Sequence, residues 1–118
     1  MTTRDMDIMR KIQSYCAKIN EFALGHSYQS FADDDKTAFS CSFALGQIGE
    51  LANKLSDDFL NSYNKLPWKK MTALRHKIVH GYDSVEMDLI WDIIKDDVPV
   101  LNKHTKNLLG NDNRRNIK

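Results

Sequence analysis

The chain has 118 residues, 42% hydrophobic and 28% charged, with a formal net charge of +1. A chain of that length makes one domain with a core of its own. Near-neutral charge excludes a bulk polyanion binder. No apolar run approaches the roughly 20 residues that span a bilayer. Met1 to Arg10 carries both acids and arginines and no apolar signal core, so no export signal is read and a cytoplasmic location is expected.

In chain order, Ile8, Ile12, Tyr15, Ile19 and Phe22 recur at helical spacing, predicting a helix over about 4–24 that Gly25 ends. His26 to Ala32 reads as a loop. Asp33, Asp34 and Asp35 supply capping acids for a second helix, with Cys41, Ala44, Ile48, Leu51 and Leu55 on its inner stripe. Gly46 and Gly49 lie inside it, each costing about 1 kcal/mol against alanine, a pattern that allows close helix contact. Ser56 caps a short turn through Phe59 and Tyr63. Cys16 and Cys41 have no metal-type spacing and read as buried, reduced thiols.

Pro67 suits the first turn of a third helix, with Trp68, Met71, Leu74 and Ile78 inward. Gly81 stands where a helix-ending glycine belongs. Asp83-Ser84-Val85-Glu86 has the form of a capping box for a fourth helix, whose stripe is Leu89, Ile90, Ile93 and Ile94. Pro99 cannot donate to Lys95, so that helix kinks or restarts near Asp97 and continues through Val98, Leu101, Thr105 and Leu108 to Gly110. The expected fold is all-α, an antiparallel bundle of four to five helices over residues 1–110, with a flexible polar tail at 111–118.

Chemistry concentrates in Arg75-His76-Lys77-Ile78-Val79-His80-Gly81-Tyr82. Arginine is a permanent, forked cation that clamps phosphate. Histidine moves protons near neutral pH. Lys65, Lys69, Lys70 and Lys77 surround them without an acid between Lys65 and His80. The bland alternatives are a helix-end cation, a helix-end histidine and solvated lysines. His76 and His80 stand at i, i+4, a spacing that can hold zinc, but no third ligand is evident, so no metal is assigned. Positions 75 and 80 lie about 140° apart on an ideal helix. Arg75 must therefore reach along the axis, or meet His80 across a dimer. Glu50 can pair with Arg75 or Lys77. His26 and His104 stand alone.

Arg75, four residues, His80, one residue and Tyr82 resembles the Arg-x4-His-x-Tyr signature of the HepT-like toxins in the HEPN superfamily of helical-bundle ribonucleases. Ile48-Gly49-Glu50 resembles that family's Gly-Glu turn, Leu66-Pro67-Trp68 its Pro-Trp lead-in, and Trp91 to Leu101 its closing helix. His76 departs from the asparagine often found after the arginine. The resemblance implies a metal-independent endoribonuclease without a cofactor, acting on RNA such as tRNA by 2′-hydroxyl attack to leave a 2′,3′-cyclic phosphate. Arg75 and His80 would be its catalytic residues. Read from charge and position alone, Lys69, Lys70 and Lys77 are supporting or RNA-binding cations, and His76, one turn before His80, is a second proton carrier, a phosphate contact or a solvated residue. The resemblance also implies a homodimer joined through the motif helices, with a small nucleotidyltransferase antitoxin that adenylylates Tyr82. The rival readings are a non-catalytic module that docks such a nucleotidyltransferase and helps position its nucleotide or substrate, and a purely structural dimer. Trp68 and Met71 are candidates for partner-facing positions.

Overall fold

A computed structural model describes the backbone of residues 2–116 and the side chains of 2–110. Four long helical segments form the bundle: α1 (Thr3–Ala23), α3 (Asp35–Ala52), α5 (Trp68–Gly81) and a last segment that joins α6 (Met87–Asp92), a π-turn (Ile93–Asp97) and α7 (Val98–Asn116). Two six-residue helices, α2 (Tyr28–Asp33) and α4 (Asp57–Ser62), fill the connections. No helix among the described residues is long and apolar enough to cross a membrane.

Local signals set most boundaries. Gly25 takes φ +81°, the left-handed conformation that lets the chain turn after α1. Asp34 accepts a hydrogen bond from the Thr37 backbone N–H and so starts α3. Ser27 and Ser30 form a reciprocal capping box that starts α2, so the segment expected as a loop at 26–32 is partly helical. Pro67 stands just before α5 rather than inside its first turn. The expected box at Asp83–Glu86 does not form: Tyr82–Ser84 is a tight 3₁₀ turn, and α6 starts after Glu86 without a side-chain cap. The expected break at Pro99 is met by the π-turn, which absorbs the missing donor while the helix continues. Gly110 does not end α7, which runs to Asn116. The tail expected at 111–118 therefore falls largely in that helix, and its last two residues lie outside the described range.

One core unites the helices. Ile8, Met9, Ile12 and Ile19 of α1 meet Cys41, Leu45 and Ile48 of α3, Met71 and Leu74 of α5, and Ile90, Ile93, Val98 and Leu101 of the last segment. Trp68 and Met71 are buried in this core rather than displayed on the surface. Burial pushes the Cys16 thiol up to about 12 and the Cys41 thiol up to about 11, so both behave as small hydrophobes. Among the described residues, Asp5 is the buried acid. Its two oxygens accept from the Ser56 N–H at 2.9 Å and the Ser56 hydroxyl at 2.7 Å, tying α1 to the start of α4. Burial alone would raise this carboxyl, but the hydrogen bonds from Ser56 and Thr2 outweigh it and hold it below the ordinary aspartate value.

α3 and α5 run antiparallel, and their closest approach is at Gly49. A Cβ there would stand 2.5 Å from both the Met71 carbonyl oxygen and the Arg75 Cβ. No other residue type fits this crossing without moving backbone, so Gly49 sets how near α5 lies and where Arg75 falls along α3.

Candidate nucleic-acid cleavage site

Helical periodicity divides α5 into two faces. Met71 and Leu74 are buried, with Ile78 and Arg75 half-buried beside them. Lys69, Ala73, His76 and His80 form the opposite, exposed stripe. The glycine crossing delivers Arg75 to α3, where its guanidinium pairs with the Glu50 carboxylate at 2.9 Å. His80 projects elsewhere. Within one chain the two signature residues do not converge, as the 140° offset predicts.

The two histidines do converge. The His76 and His80 rings have centroids 4.5 Å apart, inclined by 46°. Both line an open cleft of about 480 Å³ at the C-terminal end of α5, with Lys77 beside them. The facing wall is the connection to α6, with Ser84, Val85 and Glu86, and the first turn of α6, with Leu89. The cleft thus offers two imidazoles and an ammonium opposite one carboxylate. Sequence reading assigned Ser84 and Glu86 to a helix cap and missed them as cleft wall. Their only signal was proximity to the signature.

Gly81 ends α5 with φ −173°, an extended conformation rather than the left-handed one expected of a helix-ending glycine. The chain then coils into the 3₁₀ turn, and the Ser84 hydroxyl donates to the Gly81 carbonyl at 2.8 Å. That turn carries Tyr82 onto α3. Its ring meets Phe39 edge-on at 5.3 Å, and its hydroxyl lies 3.3 Å from that of buried Ser42. Tyr82 is half-buried, with its oxygen engaged.

Of the expected supporting lysines, Lys77 borders the cleft. Lys69 and Lys70 stand at the opposite end of α5, roughly 16 Å away along an ideal helix axis. There they line a separate groove with Pro67 and Trp68. Lys70 is also paired with Asp97 at 3.1 Å, which offsets its charge. Among the described residues, no three His, Cys, Asp or Glu side chains gather to hold a metal ion.

Comparison with known proteins adds an independent line. The profile of a family described as Ribonuclease HepT-like matches residues 12–108. The chain is 32% identical over 95 residues to a Thermococcus cleftensis protein named "Probable ribonuclease HepT", covering 80% of this chain and 86% of that one. It is 37% identical over 81 residues to a protein of Methanocaldococcus jannaschii, covering 69% and 67%. It is 30% identical over 101 residues to one of Caldanaerobacter subterraneus, covering 86% and 90%. Both of these carry provisional RNase names. No solved structure matches the chain.

Proposed function

The chain belongs to the HepT-like ribonuclease family, and from that premise we propose that it is a metal-independent endoribonuclease whose working cleft lies at the end of α5. The observation that carries this reading is the convergence of His76, Lys77 and His80 on one open cleft. RNA supplies its own nucleophile, the 2′-hydroxyl. Cleavage requires removal of that proton, balance of charge on the phosphorane and protonation of the departing 5′-oxygen. A neutral His80 is the base, since histidine exchanges protons effectively near neutral pH. Arg75 balances phosphorane charge through two donated hydrogen bonds. Products are a 2′,3′-cyclic phosphate and a 5′-hydroxyl, and tRNA is a suitable substrate.

Because Arg75 turns away from His80 within one chain, the full site is assigned to a homodimer in which the arginine of one copy meets the cleft of the other. The exposure of Phe39, Phe43 and Val79 on α3 and α5 supports pairing through the motif helices. The protein is the toxin of a toxin–antitoxin pair, and a small nucleotidyltransferase silences it by adenylylating Tyr82. For that, Tyr82 must first leave Ser42, so Ser42→Ala should speed modification and Tyr82→Phe should abolish the adenylate mass gain seen with the partner.

The test is cleavage of a total tRNA pool by unmodified protein in EDTA, beside His80→Ala and Arg75→Ala. Cutting by wild type alone, with cyclic phosphate ends, supports the reading. A folded, dimeric preparation that cuts nothing favours the second reading, a non-catalytic module that docks the nucleotidyltransferase. The Arg75–Glu50 pair is the observation on that side, since it holds the key cation against a carboxylate.

A further inference from the structure

Cleavage needs two proton transfers, and the signature arginine and histidine account for only one of them. We propose that His76 is the general acid of this chain, giving its proton to the departing 5′-oxygen while His80 takes the 2′-proton. This assignment rests on the ribonuclease reading above and adds a catalytic residue to it. Three observations support it. His76 lines the same cleft as His80 and is exposed to it. Its ring stands 4.5 Å from that of His80, so both reach a single phosphodiester, whose attacking and departing oxygens flank one phosphorus. Neither ring has a hydrogen bond to a protein side chain among the described residues, so both are free to address a ligand. Arg75 is not available for this step, because a guanidinium does not give up its proton.

The step balances within the cleft. Neutral His80 accepts the 2′-proton as the 2′-oxygen bonds to phosphorus. The bond from phosphorus to the 5′-oxygen breaks, and that oxygen takes its proton from the His76 imidazolium. Products are the cyclic phosphate and a 5′-hydroxyl, leaving His80 protonated and His76 neutral. Exchange with water resets both. The charged groups facing the pair are Lys77 on the same helix and Glu86 across the cleft. Lys77 offsets charge on the phosphate.

A leaving group that needs no proton separates this role from simple phosphate binding. An RNA oligomer with one bridging 5′-sulfur at its cleavage site departs as a thiolate. On ordinary RNA, His76→Ala should lower the cleavage rate about 100-fold or more, the usual scale of general acid catalysis. On the 5′-thio oligomer the same variant should stay within about 3-fold of wild type, because the acid has no task there. His80→Ala should fail on both substrates. His76→Gln, which keeps a polar side chain, should match His76→Ala and exclude a folding defect. Equal losses on the two substrates, or no loss on RNA, would overturn the assignment while leaving the ribonuclease reading intact. Failure of wild type to cut either substrate would overturn both.

Discussion

Gly46 and Gly49 lie one turn apart on α3, and replacing each with alanine should move stability in opposite directions. At Gly46 the nearest atom to an added Cβ is the Ile78 Cγ2 at 3.9 Å, an ordinary contact. Gly46→Ala therefore gains helix propensity, about 1 kcal/mol, without a clash. At Gly49 the added carbon would stand 2.5 Å from the Met71 carbonyl oxygen and the Arg75 Cβ, where ordinary contact begins at 3.4 Å. Neither neighbour is a flexible side-chain end, so the helices must part by roughly 0.9 Å, and close packing resists this. Overpacking of that kind costs about 3 kcal/mol. The propensity gain offsets about 1 kcal/mol, leaving a loss of about 2. For a chain this long, 1 kcal/mol shifts Tm by about 4 °C. Thermal unfolding followed by circular dichroism should then show Gly46→Ala about 4 °C above wild type and Gly49→Ala about 8 °C below it. A Gly49→Ala protein as stable as wild type, or two shifts of the same sign, would refute the close crossing as the element that sets α5.

Further outcomes are expected. Asp5→Ala should destabilise by about 3 kcal/mol, because it strands the Ser56 donors at the start of α4. Urea titration reads this. The depressed Asp5 carboxyl also contributes stability that is present above its ordinary value of 3.8 and is lost as pH falls through its lower folded value. The cysteines act at the other end of the scale. The unfolded thiols ionise near 9.0 and the folded ones only near 11 and 12, so their contribution is full below pH 9.0 and fades as pH climbs toward those values. Denaturation at pH 8 and at about pH 10.5 should show a drop that shrinks in a Cys16→Ala, Cys41→Ala double variant; an unchanged drop would remove the thiols as its cause. Finally, Lys77→Ala should weaken binding of single-stranded RNA more than Lys70→Ala, since Lys70 already faces Asp97. Fluorescence anisotropy at two salt concentrations decides between equal and unequal losses. The Lys70–Asp97 pair itself should contribute less than about 1 kcal/mol to stability.

Regular features were legible from residue spacing. The α1 stripe, the Gly25 stop, the Asp34 cap and the inward face of α5 each follow from a repeat or a single residue type acting locally. Features that depend on a distant partner were not. Gly81 ends α5 as expected, but Phe39 and Ser42 on α3 hold Tyr82 in the tight turn that follows, and Gly81 takes extended backbone. The same turn displaces the Asp83–Glu86 box and turns Glu86 into cleft wall. Gly110 was expected to end α7, yet a lone glycine costs only about 1 kcal/mol and no proline follows it. Within the site, the angular offset of Arg75 from His80 was readable from helix geometry. The pairing of Arg75 with Glu50 was one of several possibilities until Gly49 fixed the crossing.

The cleft is built from one short stretch of chain. Among the described residues, every one that lines it falls between His76 and Leu89, from the end of α5 to the start of α6. Substitutions at exposed Ser84 or Glu86 can reshape its outer wall without disturbing the buried core. Arg75 has no such latitude, because its position is tied to a glycine and an acid on another helix. A lineage carrying this fold can therefore diversify what its cleft accepts by drift in a surface connection, while Arg75 stays under the discipline of helix packing.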